Sequence, residues 1–184
     1  MVLTKTPICN FGEKTHDFHL KGIDEKNYKL NDCTGINGTI IMFICNHCPY
    51  VKAIIKDLIN DTNNLIKLGI NSVAIMSNDT KNYPEDSFEN MKLFAEENSF
   101  NFPYLIDETQ EVAKKYGAVC TPDFFGYNGK NELQYRGRIR ELKELRPMRS
   151  GSSELWNAMK MISETQKGPK VQIPSMGCNI KWIK

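Results

Sequence analysis

The sequence predicts an α/β domain whose central sheet is mixed and is flanked by helices. Residues 39–44 and 70–76 are short apolar runs rich in β-branched side chains, which is typical of buried strands. Between them apolar residues recur at helical spacing, so the three segments form a strand-helix-strand unit with a parallel pair and a right-handed crossover. Asn128-Gly129 then predicts an antiparallel hairpin. Parallel and antiparallel pairing in one chain indicates a mixed sheet.

The first elements are a small hairpin and the helix of the strand-helix-strand unit. "DFHL" and "NYKL" are short segments that form a hairpin around "KGIDEK". Pro49 is tolerated only near the first turn of a helix, so the helix begins just before it, and Gly69 is expected to end it. The predicted buried face of this helix consists of Val51, Ile54, Ile55, Leu58, Ile59, Thr62, Leu65 and Ile66.

The middle of the chain continues the alternation of helices and extended segments. Pro84 begins a helix that runs to about Asn98, and "PYLI" is a short extended piece. Asp107 and Gln110 have the spacing of a capping box, which predicts the start of a short helix that ends at Gly117.

The last part of the chain contains a hairpin, a closing helix and a tail. "TPDFFGY" and "ELQYRG" are the hairpin strands, and a helix is predicted over residues 152–165. We therefore divide the chain into a domain over residues 1–166 and a tail over residues 167–184. The tail is expected to be irregular. Its apolar side chains predict that it packs back on the domain, with Trp182 as its anchor.

Composition and charge argue against several classes of partner. Hydrophobic residues make up 40% and charged residues 25% of the chain, as in ordinary soluble globular proteins, and a net charge of +2 favours neither nucleic acid nor a membrane. Arg136, Arg138 and Arg140 form a local cluster that we interpret as a solvated strand end. No signal peptide is visible and "IIMFIC" is too short to span a bilayer, so we expect a cytoplasmic location.

Cysteine usage points to chemistry rather than to structural cross-links. The six cysteines are Cys9, Cys33, Cys45, Cys48, Cys120 and Cys178. A reducing compartment disfavours a static disulfide framework, and a C-x-x-C pair in such a chain is more often catalytic or metal-binding. The pair in "CNHC" lies where the strand over 39–44 ends and the first long helix begins.

Three segments together carry a family resemblance: "CNHCPYV", "YGAVCTPDFF" and "PSMGCNIKW". The chain resembles the redoxin branch of the thioredoxin-like superfamily, and most closely its peroxiredoxin-like, AhpC/TSA-type members with a CNHC motif. The resemblance runs from about Phe18 to Trp182. It implies a thioredoxin-like fold with an N-terminal hairpin and a C-terminal extension. It also implies a protein or small-thiol substrate, an external reductant such as the thioredoxin or glutathione system, and no cofactor.

The two motif cysteines suit thiol-disulfide exchange. A helix N-terminus presents unsatisfied N–H groups and a partial positive charge, which favours a thiolate at Cys45. Thiols at C-x-x-C sites have pKa values of about 3.5 to 7.5, against about 8.5 for an unperturbed thiol. Cys48, one turn further on and less exposed, is expected to attack the mixed disulfide and release the substrate.

Asn46 and His47, between the cysteines, are expected to tune the site. A charged His47 would stabilise the thiolate and make the pair more oxidising, whereas the alternative is a surface histidine that only forms a hydrogen bond. The resemblance implies a cis peptide bond at Pro122. It also implies that the backbone of Thr121 pairs with an extended substrate.

Two further cysteines are candidates for a resolving thiol. Cys120 lies two residues before Pro122 in the expected substrate loop, which consists of Cys120, Thr121 and Pro122. Cys178 lies in the tail, which could bring it near Cys120 or the C-x-x-C. The alternative for both is a buried, inert residue. Packing is the simpler explanation for Cys9 and Cys33.

Departures from known patterns leave alternatives open. In the peroxiredoxin pattern P-x-x-x-T-x-x-C the last cysteine aligns with Cys48, but Cys45 replaces the threonine and Ile41 the proline, so a standard peroxidase is not expected. The leading hypothesis is a thiol-disulfide oxidoreductase, and the runner-up is a peroxidase that forms a sulfenic acid.

Two non-enzymatic alternatives compete with these hypotheses. The first is a protein that binds Zn²⁺ or an iron–sulfur cluster through a subset of Cys45, His47, Cys48, Cys120 and Cys178. No second C-x-x-C or H-x₃-H pair accompanies the motif, so we expect no metal. The second is a redox-silent binding module, which the intact cysteine pair disfavours.

Overall fold

The computed structural model describes residues 2–184, and its elements alternate as the sequence predicts. The helices are α1 (Leu30–Cys33), α2 (Pro49–Leu65), α3 (Phe88–Glu97), α4 (Glu111–Tyr116) and α5 (Glu154–Thr165). The strands are β1 (Leu3–Lys5), β2 (His19–Gly22), β3 (Asn27–Lys29), β4 (Gly38–Phe43), β5 (Ile70–Met76), β6 (Tyr104–Ile106), β7 (Cys120–Thr121), β8 (Asp123–Asn128), β9 (Leu133–Tyr135), β10 (Leu142–Lys143), β11 (Arg146–Pro147) and β12 (Met176–Asn179).

The main sheet is mixed and has the order β3-β2-β6-β5-β4-β8-β9. β4 pairs in parallel with β5 and antiparallel with β8, so the predicted parallel unit and the later hairpin are both confirmed. β2 and β3 form the predicted first hairpin. Every residue of β4 is buried, because helices cover both faces of the sheet at this strand. The strand therefore delivers the C-x-x-C to the edge of the core.

Helix α2 begins and ends where its sequence signals place it. Pro49 is its first residue, where the missing N–H costs no hydrogen bond, and Cys48 is the N-cap. A short 3₁₀ turn follows the helix, and Gly69 ends it with a φ of +74°, in the left-handed region that glycine adopts readily. Cys48 thus lies directly at the positive end of a helix of 17 residues.

The helix predicted from Pro84 is interrupted in its first turn. Residues 84–86 form a 3₁₀ turn, and α3 begins only after Ser87, whose side chain accepts a hydrogen bond from the Asn90 N–H. The capping box predicted at α4 is also wrong. Asp107 accepts from the N–H of Ala113, but the Gln110 side chain turns away to other partners.

The tail is not irregular, because it contains β12. This strand lies between β1 and β7 in a second sheet of three strands and is antiparallel to both. Trp182 is 38% exposed, so the prediction that it anchors the tail is wrong. The buried apolar side chains of the tail are instead Cys178 and Ile180.

The arginine cluster is largely buried rather than solvated. The ion pairs are Arg136–Asp123 at 3.1 Å, Arg138–Glu154 at 2.8 Å and Arg140–Asp57 at 3.1 Å. The interpretation as a solvated strand end is therefore wrong for Arg136 and Arg140, whose guanidinium groups are held against buried carboxylates. Within residues 2–184, no helix has the length and apolar character needed to cross a membrane.

Candidate active site

Both motif cysteines lie at the junction between β4 and α2, and both are buried. Cys45 is 1% exposed and Cys48 is fully buried, so the predicted difference in exposure is absent. All six cysteines are thiols in the described structure. A substrate therefore reaches the pair only after something that covers it moves.

The loop around Pro122 faces the cysteine pair. The Thr121–Pro122 peptide bond is cis, as the resemblance implied. Cys45 Sγ lies 3.4 Å from the hydroxyl of Thr121, and Cys48 Sγ lies 3.1 Å from the carbonyl oxygen of the same residue. Thr121 therefore contacts both sulfurs.

His47 is paired with a buried carboxylate that the sequence did not single out. Its Nδ1 lies 2.7 Å from Asp86 Oδ2 and 4.0 Å from Cys45 Sγ. The hydrogen bond to Asp86 raises the pKa of His47 and favours the imidazolium form, although partial burial opposes this. Because the sulfur and the carboxylate face the same nitrogen, His47 does not relay a proton between them. Tyr83 stacks on the His47 ring, with the centroids 5.9 Å apart.

Asp86 also occupies the backbone N–H groups that could have stabilised a thiolate at Cys45. It accepts from the N–H of Asn46 at 2.8 Å and from the N–H of His47 at 3.3 Å. Burial alone would raise the pKa of Asp86, but hydrogen bonds from His47 and Asn78 lower it. The site-tuning residue Asn46 has a packing role, since its side-chain oxygen accepts from the hydroxyl of Tyr104 at 2.9 Å.

The two motif thiols share a hydrogen bond that places the negative charge on Cys48. This bond, together with burial and the charge of Asp86, raises the pKa of Cys45 well above its ordinary value. The same bond lowers the pKa of Cys48 to about 5, helped by the thiol and N–H of Cys178 and by the N–H of Val51. Burial and the Thr121 carbonyl favour the thiol form of Cys48, but the four donors outweigh both. The direction of these two pKa shifts favours a thiolate at Cys48, whereas the sequence led us to expect it at Cys45.

The two candidate resolving cysteines differ in their surroundings. Cys178 Sγ lies 3.0 Å from Cys48 Sγ, and both residues are buried. Burial raises the pKa of Cys178 to about 12. Cys120 is on β7, where its thiol donates to the carbonyl oxygen of Pro122 at 3.6 Å, and burial raises its pKa strongly. The geometry thus brings Cys178, rather than Cys120, against the sulfur that carries the charge.

Three groups at the site are close enough together to be considered as metal ligands. Ligand atoms of Cys45, His47 and Asp86 lie within 4.8 Å of one another. His47 already uses Nδ1 for its hydrogen bond to Asp86, so binding a metal there would break that bond. The hydrogen bond accounts for the cluster without a metal.

Residues that the sequence did not identify complete the surroundings of the site. Asn78 donates to Asp86 at 2.7 Å and accepts from the N–H of Lys181 in the tail at 2.9 Å. Gln110 donates to the Lys181 carbonyl at 2.8 Å and accepts from the N–H of Ile183 at 2.8 Å. The sequence marks Gln110 only for a capping box and Asn78 not at all, because their shared partner Lys181 lies far away in the chain.

Comparisons with known proteins give the family of the chain. It is similar, at 40% identity and a TM-score of 0.94, to the crystal structure of an uncharacterized conserved protein from Geobacillus kaustophilus, over 100% of this chain and 97% of that chain. A hypothetical protein from Sinorhizobium meliloti 1021 is 32% identical over 98% of both chains, with a TM-score of 0.90. No curated protein matches this chain.

More distant structures show the fold alone. The thioredoxin domain of a thiol-disulfide oxidoreductase from Bacteroides vulgatus is 15% identical, with a TM-score of 0.58, over 68% of this chain and 86% of that chain.

The model of the AhpC/TSA family matches residues 11–141, which is more than half of the chain and includes both motif cysteines and the cis-proline loop. The chain has the thioredoxin-like fold and belongs to the AhpC/TSA family.

Proposed function

We propose that the chain is a thiol-disulfide oxidoreductase that works through the Cys45–Cys48 dithiol. The family and the fold indicate a thiol redox function, and the kind of reaction is the part proposed here. The observation that carries it is the hydrogen-bonded pair of thiols at the start of α2, whose shared proton leaves a thiolate on Cys48 beside the cis-proline loop. A thiolate with a second thiol in contact is the group that exchanges disulfides.

The reaction proceeds in two exchange steps. The Cys48 thiolate attacks one sulfur of a substrate disulfide, forms a mixed disulfide and expels the first substrate thiolate, which takes up a proton. Cys45, after losing its proton, then attacks Cys48 Sγ and expels the second substrate thiolate. One substrate disulfide becomes two thiols while the dithiol becomes a Cys45–Cys48 disulfide. The Thr121–Pro122 loop holds the substrate, and an external reductant restores the dithiol.

The electrostatics around the dithiol suit a pair that is stable when reduced. The hydrogen bond to Asp86 raises the pKa of His47, which favours an imidazolium near Cys45, and the hydrogen bonds that lower the pKa of Cys48 stabilise its thiolate. A dithiol whose reduced form is stabilised is the more oxidising one. We therefore place its reduction potential above that of an ordinary thioredoxin, which is about −270 mV.

A peroxidase is the second candidate, and a specific observation supports it. Cys48 aligns with the peroxidatic cysteine of P-x-x-x-T-x-x-C and is the residue that carries the thiolate. Against it, Cys45 replaces the threonine that would orient a peroxide. A peroxide site of the standard kind also uses an arginine, but Arg136 pairs with Asp123 and Arg138 with Glu154.

Paired assays test the proposal and separate the candidates. Insulin reduction and hydrogen peroxide consumption are measured side by side, with the thioredoxin and the glutathione system each as the donor. We expect faster disulfide reduction than peroxide turnover, and loss of both in Cys48→Ser. Cys33→Ser, which removes a buried thiol outside the site, is the control. Fast peroxide consumption that survives in Cys45→Ser but not in Cys48→Ser would favour the peroxidase.

The remaining assignments belong to the same proposal. The substrate is a disulfide or thiol of a protein or small molecule, the reductant is a thioredoxin or glutathione system, and the location is cytoplasmic. We assign no cofactor, nucleic-acid partner or membrane partner, and we treat residues 1–166 as the domain and 167–184 as its tail. Metal analysis of protein purified without chelator tests the alternative in which the protein binds a metal. A protein that forms no disulfide with a substrate analogue would be a redox-silent module.

A further inference from the structure

The tail lies where the extended chain of a substrate would lie. β12 pairs antiparallel with β7, so that Cys178 is opposite Thr121 and Asn179 is opposite Cys120. β7 is the strand that leads into the cis-proline loop. An added strand that pairs with an exposed sheet edge is a common way to bind a peptide. The edge that would receive a substrate is therefore filled by the chain itself.

The fit between the tail and this edge is close and depends on a glycine. A Cβ atom on Gly177 would lie 2.0 Å from the Thr121 carbonyl oxygen, so no other residue allows this approach. Ser175 donates to the Pro122 carbonyl at 2.8 Å, on one side of this contact. On the other side, the N–H of Lys181 donates to Asn78 at 2.9 Å. The tail is thus fixed at both ends of the cysteine that it presents.

The register places one tail sulfur against the reactive one. Cys178 Sγ and Cys48 Sγ are 3.0 Å apart, about 1 Å longer than a covalent disulfide. The N–H of Cys178 also donates to Cys48 Sγ. A substrate cysteine under attack by Cys48 would need the same placement: an extended backbone on β7 and a sulfur in contact with Cys48.

We propose that Cys178 is a third redox-active thiol, which forms a disulfide with Cys48 and fixes the tail on the edge of β7. The proposal rests on the proposed function in that the substrate reaction supplies the oxidised Cys45–Cys48 pair. The Cys178 thiolate attacks Cys48 Sγ, the Cys45–Cys48 bond breaks, and Cys45 leaves as a thiolate. Cys45 takes up the proton that Cys178 lost, so this exchange is an isomerisation that needs no further oxidant.

The test uses Cys45→Ser, in which Cys48 has lost its partner in the motif. One equivalent of oxidised glutathione is added to the reduced variant, and disulfides are mapped by mass spectrometry. Glutathione first forms a mixed disulfide with Cys48. Attack by Cys178 then releases the second glutathione. We expect the loss of two thiols per chain, two molecules of glutathione released, and a cross-link between the peptides of residues 48 and 178.

Matched variants make the outcome decisive. Cys45→Ser with Cys178→Ser should retain glutathione on Cys48, whereas Cys45→Ser with Cys120→Ala should still form the cross-link. A stable mixed disulfide on Cys48 in Cys45→Ser, with Cys178 still open to alkylation, would overturn the proposal. Circular dichroism of each reduced variant verifies the fold. If Cys45→Ser does not fold, Cys45→Ala is used in its place.

Failure of this inference is distinguishable from failure of the proposed function. The wild-type protein keeps every cysteine, so it should reduce insulin if the proposed function is right. The cross-link is read in a different variant and needs no turnover. If the wild-type protein does not reduce insulin, the proposed function is wrong. The mass of the cross-linked peptides in Cys45→Ser still tests the inference about Cys178.

Discussion

At the scale of single residues, the site is decided by where backbone N–H groups point. The sequence places the C-x-x-C at a helix N-terminus, the family resemblance implies a cis bond at Pro122, and both features are present. The sequence could not show that Asp86, 40 positions away from Asn46, takes the N–H groups of Asn46 and His47. Together with the hydrogen bond between the two motif thiols, which has the largest effect, and with burial, the charge of Asp86 disfavours a thiolate at Cys45, where a local argument places it, and the electrostatics favour Cys48.

The position of the thiolate is tested by its titration. The ultraviolet absorbance of the thiolate, measured against pH as the difference between wild type and Cys48→Ser, should show a midpoint near pH 5. Since the pKa is lowered, the thiolate is present above this pH and is lost as the pH falls through it. Cys45→Ala should move the midpoint upward, because the largest stabilising hydrogen bond is removed.

The control for this titration is Cys33→Ala. Burial raises the pKa of Cys33 to about 12, so its removal should leave the transition near pH 5 unchanged. A wild-type midpoint at the ordinary thiol value of about 8.5 would contradict the assignment of the charge to Cys48.

At the scale of elements, apolar periodicity predicts the central elements well and the second sheet poorly. β5 has the predicted bounds, and β4 differs from its prediction by one residue at each end. β12 has the sequence "MGCN", which has little strand propensity. It is a strand because it pairs with β1 and β7, and a contact between distant parts of the chain leaves no local pattern to recognise.

The packing of α5 on the sheet gives a test at this scale. Met159 is fully buried against Gly126, whose missing side chain makes room for it, because a Cβ there would lie 2.5 Å from the Met159 sulfur. Met159→Ala should lower the free energy of unfolding by about 2–5 kcal/mol, because it leaves a cavity. Met161→Ala on the same helix removes a side chain that is 44% exposed and should cost less than about 1 kcal/mol. Equal urea midpoints for the two variants would contradict this packing.

At the scale of the whole molecule, we infer that the tail covers the dithiol, because Cys178 contacts Cys48. Its strand and the hydrogen bonds of Gln110 and Asn78 hold it across the entrance to two buried sulfurs. The apolar residues of the tail predicted its return to the domain but not its path, because the path follows from a register of backbone hydrogen bonds. Trp182, the most conspicuous side chain in the segment, lies at the surface with Lys114 over its ring.

Displacing the cover without changing a cysteine should expose the dithiol. Gly177→Ala forces a methyl group against the carbonyl of Thr121, which should cost about 1–3 kcal/mol of tail binding. We expect iodoacetamide to modify Cys45 and Cys48 about tenfold faster or more, read residue by residue by mass spectrometry. Val171→Ala is the control, since it shortens a side chain of the tail that is 86% exposed. Unchanged rates in Gly177→Ala would show that the tail does not limit access.

The order β1-β12-β7 joins the two ends of the chain to each other. β1 has β12 as its neighbour in this sheet, and the backbones of Val2 and Asn179 are hydrogen-bonded as well. Because β12 lies between β1 and β7, we expect that release of β12 from β7 also loosens β1. A protease or a fluorescent label directed at the first few residues would therefore report the oxidation state of a sulfur buried beneath the other end of the chain.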